Sequence, residues 1–505
     1  MNKKLWKTLY IIGILALVAG FLFIAANQKS FWEDEAFTAI FAQKDTADLF
    51  KGLSWDVHPP LYLFLASQWG RQFGFTEIGL RSFSILWILV GLLLTYKLTL
   101  DLLGERPALI AFTLTALNPL ILMYGHNARY YSLTLVLALL VAWGAFRFKH
   151  PRQAGFLTVY VLGGAAFMYI LFAGAAVLLA ANLWWLVRWF CQKKDRSLVS
   201  LALWVLAQLA VIGLYLPALG IVQTVSGRFS QFIQLDNWLT QIATRAGYYA
   251  FVSAVGETLS PLNPLAWVGM ILVVTLATIA LLKNWRNIDF WLVVVFFGII
   301  TGTNLLLTFN QAVSQTWQNL TYRAVYVYPF LMIWLAAGIN RLRLSWAIAS
   351  GAALGLVFIV AGFNYLTNRQ FIRPVYTVPW KEVFLNIQAQ SKPGALVVCG
   401  FGDSSCYYYA QRFGYGSNDL NNWGNLSRQE YPEVWYIQTN LGRGETDGSQ
   451  SGLQKTFLAE MARRYSISSD INFAPQDPSI RWLKSKLSNQ EDYEYRLILR
   501  RFFQP

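Results

Sequence analysis

Residues 8–41 read TLYIIGILALVAGFLFIAANQKSFWEDEAFTAIF. The run from Leu9 to Ala26 carries no charge, and its length is what a helix needs to cross roughly 30 Å of hydrocarbon. Six residues separate it from Glu33, Asp34 and Glu35 in a row, flanked by Trp32 and Ala36. Lys3, Lys4 and Lys7 precede it, so the start of the chain imitates a secretory signal. The apolar core is too long for such a signal and further apolar runs follow, so the reading favours an uncleaved first membrane span with its N-terminus in the cytoplasm.

Working outward, the rest of the sequence repeats this theme. Of 505 residues, 56% are hydrophobic and only 13% charged, a balance foreign to water-soluble domains. Hydropathy predicts about eleven spans, near 8–26, 77–100, 106–124, 128–146, 154–169, 171–189, 198–220, 263–282, 290–308, 323–340 and 345–363. The net charge of +15 could suggest nucleic acid, but the cations sit in short gaps between apolar runs. Arg147-Phe148-Lys149-His150-Pro151-Arg152 and Lys193-Lys194-Asp195-Arg196 are examples. That placement is a cytoplasmic-loop signature and argues against a nucleic-acid partner. Counting spans places 27–76, 221–262, 309–322 and everything after 364 outside. Within 27–76, the segments 36–43 and 61–66 are apolar but too short to span, and read as helices lying in the interface.

Composition changes near the end. Residues 366–505 hold 16 Lys/Arg and 13 Asp/Glu, a water-compatible balance. Trp380 to Ile387 reads as a helix, and Ala395–Cys399, Val434–Ile437 and Tyr493–Leu499 read as strands. The expected architecture is therefore a polytopic α-helical membrane protein, with a bundle over 1–363 and a small external α/β domain over 366–505. Three cysteines give neither a disulfide framework nor a zinc pattern; Cys399 and Cys406 could pair, but the reading favours free thiols. His58, His126 and His150 are scattered, so no metal site is expected. The Gly-rich stretch 442–448 lacks a phosphate-cradle spacing, and no cofactor motif is present.

The acids carry the strongest functional signal. Thirteen occur before residue 366, and seven of these fall between Glu33 and Glu77. Ionisable groups beside a bilayer mark functional sites. A carboxylate there can serve as a general base for a hydroxyl brought within hydrogen-bond reach. The bland alternative is a solvated helix N-terminus favoured by the helix dipole. His58 precedes Pro59-Pro60, which bias it to extended backbone at a helix entrance. Arg81, Arg129 (followed by Tyr130) and Arg323 all fall at the external ends of predicted spans. Positive-inside statistics disfavour that face, and guanidinium groups suit bidentate phosphate binding. A carboxylate base beside phosphate-binding cations, without a nucleotide motif, points to group transfer from a lipid phosphate.

At these residues the chain resembles a known family. Asp34-Glu35 after the first span, His58-Pro59-Pro60-Leu61, Arg81 in Leu-Arg-Ser, Ala128-Arg129-Tyr130-Tyr131-Ser132-Leu133, Arg323 to Pro329 and Pro379-Trp380-Lys381-Glu382 are similar to GT-C glycosyltransferases. The resemblance is to the protein O-mannosyltransferase and aminoarabinose transferase type, in its bacterial branch. It implies a GT-C bundle in a bacterial inner or plasma membrane. It also implies a polyprenyl-phosphate-linked sugar donor, a lipid, glycan or protein acceptor, and inverting transfer at the external face. Asp34 would match the catalytic acid with Glu35 beside it. Arg81 would match the arginine near the donor phosphate, and His58, Arg129, Tyr130 and Arg323 would line the substrate site. Two other classes compete. A transporter or flippase of lipid-linked saccharides would carry charges in mid-span, where this chain has almost none, and a non-catalytic assembly subunit would have no use for Asp34.

The topology is directly testable. Ser417→Cys should react with a membrane-impermeant thiol reagent in intact cells or spheroplasts. Protection there, together with labelling of a cysteine placed near Lys194, would reverse the orientation.

Overall fold

The computed structural model describes residues 3–52, 59–192, 196–220, 238–310, 318, 320–372, 378–400, 403–420, 430–441, 448–468, 470–473, 479, 482 and 495–504. The apolar runs become helices. In chain order the first part holds α1 (Lys3–Gln28), α2 (Glu33–Ala42), α3 (Thr46–Gly52), α4 (Leu61–Phe73) and α5 (Glu77–Leu103). Then come α6 (Glu105–Leu117), α7 (Pro119–Tyr124), α8 (Tyr131–Arg147), α9 (Gly155–Met168), α10 (Gly174–Cys191) and α11 (Leu198–Tyr215). The bundle closes with α12 (Trp238–Val255), α13 (Pro264–Asn284), α14 (Ile288–Leu307), the single turn α15 (Leu320–Arg323), α16 (Tyr328–Asn340) and α17 (Leu344–Leu366).

Among the described residues, seven helices are long and apolar enough to cross a membrane: α1, α5, α10, α11 with its short continuation, α13, α14 and α17. The apolar helices α8, α9 and α16 are shorter. The span expected at 106–124 is broken instead into α6 and α7. Asn118 stops the first helix and its side chain accepts hydrogen bonds from the backbone N–H groups of Leu120 and Ile121. Pro119 then starts the second at a position where its missing N–H costs nothing. Residues 221–262, expected as an external connector, contain the additional helix α12. Between α5 and α6 the chain reverses on Gly104, whose φ of 91° is open to glycine without strain.

The C-terminal part adds α18 (Trp380–Gln390), β1 (Leu396–Cys399), α19 (Ser404–Arg412), β2 (Ser417–Asp419), β3 (Glu433–Leu441), α20 (Gly448–Arg464), β4 (Ser466–Ile467), β5 (Ile471–Phe473) and β6 (Tyr495–Phe503). The sheet order is β2-β1-β3-β6-β4, with β5 also paired to β6. β1 runs parallel to β2 and β3, and β6 runs antiparallel to β3. Side chains alternate across the sheet as the period of two requires. Leu396, Val398, Val434 and Tyr436 pack with Phe457 and Met461 of α20. Val397, Cys399, Trp435, Ile437, Leu497 and Leu499 face the other way and share a core with α18, α19 and bundle residues Phe31, Ala36, Ala39, Leu80 and Ala128.

The domain is thus docked on the bundle rather than hung from it. Tyr409 Oη accepts the Phe31 N–H at 2.8 Å and donates to Glu77 at 2.6 Å. Tyr408 Oη reaches the Phe75 carbonyl at 2.9 Å, and Arg412 pairs with Glu77. The Lys381 N–H binds Ser30 Oγ at 3.0 Å. The end of the bundle that carries the acidic segment is therefore the end that the sheet domain covers.

One sequence expectation is corrected here. Cys399 and Cys406 are joined in a disulfide, with Cα atoms 6.1 Å apart. Seven residues separate them, but β1 ends at Cys399 and α19 turns back over it, bringing Cys406 to bridging distance. Both sulfurs are buried between the sheet and α19. Cys399→Ser should lower the stability of the domain by about 2–3 kcal/mol, the range for closing a short loop, and depress its unfolding midpoint. The peptides bearing the two cysteines should be linked in a digest made without reductant. Recovering them separately would remove the bridge.

Candidate active site

The site is organised around the first turn of α2. Trp32 enters in extended conformation, and Glu33, Asp34 and Glu35 form the first helical turn, where the helix dipole favours negative charge. Successive helical residues diverge by about 100°, so neighbouring carboxylates take different directions. Glu35 points inward and is fully buried, whereas the Asp34 side chain remains one-third exposed.

Glu35 meets Arg81 from the start of α5. Arg81 Nε donates to Oε1 at 2.8 Å and Nη2 to Oε2 at 2.5 Å, the two-pronged geometry of a guanidinium on a carboxylate. Its other donors go to backbone: Nη1 to the carbonyls of Ala26 (2.9 Å) and Lys29 (2.6 Å), and Nη2 to that of Ser30 (2.9 Å). All five guanidinium N–H groups are engaged. Glu35 Oε1 also accepts the Ala128 N–H at 2.7 Å. One ion pair therefore joins the end of α1, the start of α2, α5 and the turn before α8.

Two expectations from sequence concern these residues. Arg81, expected on the donor phosphate, has no N–H left for a phosphate. Glu35, expected to share the chemistry with Asp34, is sealed from any acceptor hydroxyl by its partners. Both are buried in one ion pair.

Arg129 and Arg323 lie on the Asp34 side. Arg129 Nη2 stands 3.6 Å from Asp34 Oδ2, and Nη1 reaches the Asp34 carbonyl at 3.4 Å and Thr38 Oγ1 at 3.3 Å. Arg323 ends α15, within electrostatic reach of Asp34, Tyr130, Tyr131 and Tyr322. Among the described residues it has no hydrogen-bond or ion-pair partner; its guanidinium lies 6.0 Å from the Tyr322 ring. Tyr130 is buried, with its ring against Tyr62 and Tyr131. His58 lies outside the described residues.

The structure adds groups that sequence reading passed over. Glu257 is fully buried after α12; Tyr124 donates to its Oε2 at 2.5 Å, and Thr321 Oγ1 lies 3.0 Å from its Oε1. Tyr322, the next residue, stacks on Tyr124 and meets Tyr131 and Trp32 edge-on. Glu257 thereby holds the turn that presents Arg323, and Tyr322 links that turn to the residue preceding the acidic triplet. The scarcity of acids before residue 366 was the signal that could have found it. Lys29 is also buried, donating to Asn368 Oδ1 at 2.7 Å over the Tyr365 ring. Burial and the nearby Arg81 charge pull its ammonium down to about 7.

The fold has counterparts among solved structures. The crystal structure of ArnT from Cupriavidus metallidurans bound to undecaprenyl phosphate superposes with a TM-score of 0.59, at 13% identity over 99% of this chain and 98% of that one. Its apo form gives 0.57 at 12% identity, covering 98% of each chain. The chain has the GT-C glycosyltransferase fold. The Archaeoglobus fulgidus oligosaccharyltransferase tethered to an acceptor peptide shares this GT-C architecture with a TM-score of 0.51 and 12% identity, over 94% of this chain and 74% of that one. Residues 57–219 match the family model for dolichyl-phosphate-mannose-protein mannosyltransferase. Arg81, Arg129 and Tyr130 fall inside that match, and Asp34, Glu35 and Arg323 outside it. No protein of curated function matches the chain in sequence.

The clasp reading is testable by stability. Arg81→Ala leaves a carboxylate buried without its cation and should cost about 3–5 kcal/mol. Arg81→Lys, which keeps the charge but not the fork, should fall between that variant and the wild type. Thermal unfolding in detergent is the measurement. An Arg81→Ala protein that unfolds like wild type while losing only donor turnover would return Arg81 to the phosphate.

Proposed function

We propose that the chain is an inverting glycosyltransferase that moves a sugar from a polyprenyl-phosphate donor to an acceptor hydroxyl at the external membrane face. The observation that carries this reading is the separation of roles within the acidic triplet. Glu35 is locked in the clasp, while Asp34, one-third exposed, faces Arg129 and lies within electrostatic reach of Arg323.

In this reading Asp34 accepts the proton of the acceptor hydroxyl as its oxygen attacks the anomeric carbon. The bond from that carbon to the phosphate oxygen breaks on the opposite face, inverting the configuration. The leaving group is polyprenyl phosphate, which needs no proton, so one carboxylate suffices where a glycosidase uses two. Arg129 and Arg323 stabilise the charge that grows on the leaving phosphate, a preorganised electrostatic effect. Tyr130 walls the donor side, and His58 is assigned to the substrate side from the sequence resemblance alone. Two features support the external face. The positively charged gaps lie at the other ends of the helices, and the Cys399–Cys406 bridge suits an oxidising compartment.

The test is release of polyprenyl phosphate by purified protein given a panel of polyprenyl-phosphate sugars and hydroxyl acceptors. Asp34→Asn should lower the rate by about 10²–10⁴ while Glu33→Gln stays close to wild type. Arg323→Ala should weaken donor turnover with every acceptor. Near-normal transfer by Asp34→Asn at wild-type expression would sink the assignment of the base.

A further inference from the structure

At the seam between the bundle and the sheet domain lies a cleft of about 530 Å³, within the size range of small-ligand sites. Asp34 is not in its described lining. Lys29 and Ser30, whose carbonyls Arg81 holds, line it together with Asn27 and Gln28 from the last turn of α1. The domain supplies Lys381 and Glu382 from the first turn of α18, and Asn472 and Phe473 from β5.

The buried charge in this wall points to a ligand. Lys29 is only 6% exposed and its partners are neutral. Its Nζ donates to Asn368 Oδ1, also in the lining, at 2.7 Å and lies 4.4 Å from the centre of the Tyr365 ring. Among the described residues no carboxylate meets it, and two of the three ammonium donors have no oxygen. Buried cations are ordinarily paired, so a ligand bearing a carboxylate or phosphate would complete this one.

The rest of the lining says what else that ligand carries. Asn27, Gln28 and Asn472 are exposed carboxamides, each with donors and an acceptor, and hydroxyl groups likewise both donate and accept. Glu382 accepts from hydroxyls and repels a second anion, and Phe473 offers an apolar surface to a ring. We propose that this cleft binds an acidic saccharide, its anionic group at Lys29 and its hydroxyls on the carboxamides. The choice of a saccharide rests on the glycosyl-transfer reading, in which the cleft holds a part of the acceptor remote from the reacting hydroxyl.

An anion at Lys29 favours the charged ammonium, which burial and Arg81 disfavour in the empty cleft, so binding takes up a proton near neutral pH. The charged and titratable groups around Lys29 are Arg81 of α5, His126 before α8, Tyr365 of α17 and, from α18, Lys381 and Glu382. Burial holds His126 neutral, well below its usual range.

Full-length protein in neutral detergent is titrated calorimetrically with tetragalacturonate, maltotetraose, tetraglutamate and inorganic phosphate. The expected result is saturable binding of tetragalacturonate alone, about tenfold weaker at pH 8 than at pH 6 because the charged fraction of Lys29 falls by that factor. Lys29→Met should lose about tenfold at pH 6, and the pH dependence with it. Asn472→Ala, at an exposed position that folding does not depend on, should lose about fivefold. Unchanged affinity in either folded variant, or equal binding of maltotetraose, tetraglutamate or phosphate, would overturn the assignment. Binding is read here without turnover. Glycosyl transfer with no tetragalacturonate binding therefore strikes this inference alone, and binding without transfer from any donor strikes the functional reading and leaves the cleft as a saccharide site.

Discussion

A single buried ion pair sets the geometry of the working end of this bundle. Glu35 and Arg81 are both removed from water, a loss of hydration that their mutual attraction offsets only when the remaining donors and acceptors are filled. Here they are filled. The Ala26 carbonyl in the last turn of α1 and the Lys29 and Ser30 carbonyls just past it take the guanidinium N–H groups that Glu35 leaves over, and the Ala128 N–H takes a further lone pair of Glu35. The cation also lies at the negative end of the α1 dipole, which adds to its hold. Four chain segments distant in sequence are thereby fixed against one another beneath the site.

The clasp also explains how adjacent acids come to have different surroundings. Glu35 and Asp34 differ by one position on a helix, so the turn of α2 sends one into the protein and leaves the other at the surface beside Arg129. Glu35 accepts three hydrogen bonds and is consumed by them. Asp34 keeps an open side chain among cations whose own placement depends on buried partners. Arg323 is presented by a turn that Glu257 anchors through Thr321, and Tyr322 packs that turn against Trp32 at the entrance to α2.

The sheet domain is part of the same construction. Its inward face shares a core with Phe31, Ala36 and Ala39, so the helix bearing the acids is sandwiched between bundle and sheet. Glu77 binds Tyr409 and Arg412 from the domain four residues before Arg81 begins the clasp. Movement of the domain would therefore be felt at α5 and α2 together.

Much of the architecture was legible in the residues themselves. Apolar runs of membrane-crossing length have one stable solution in a bilayer, a helix with its backbone internally satisfied, and hydropathy finds them without further help. Asn118-Pro119 splits one of those runs by capping chemistry that a count of apolar residues does not weigh. The acidic triplet, Arg129 and Arg323 stood out because charge is scarce in such a chain. The partners of each charge could not be read from the chain alone. Whether Arg81 meets a phosphate or a glutamate 46 residues away, and whether Cys399 meets Cys406, depends on how helices rotate and pack. Sequence determined which groups must be satisfied. Only the tertiary structure decided with what, because burial and hydrogen-bond geometry are properties of the packed helices and not of any one of them.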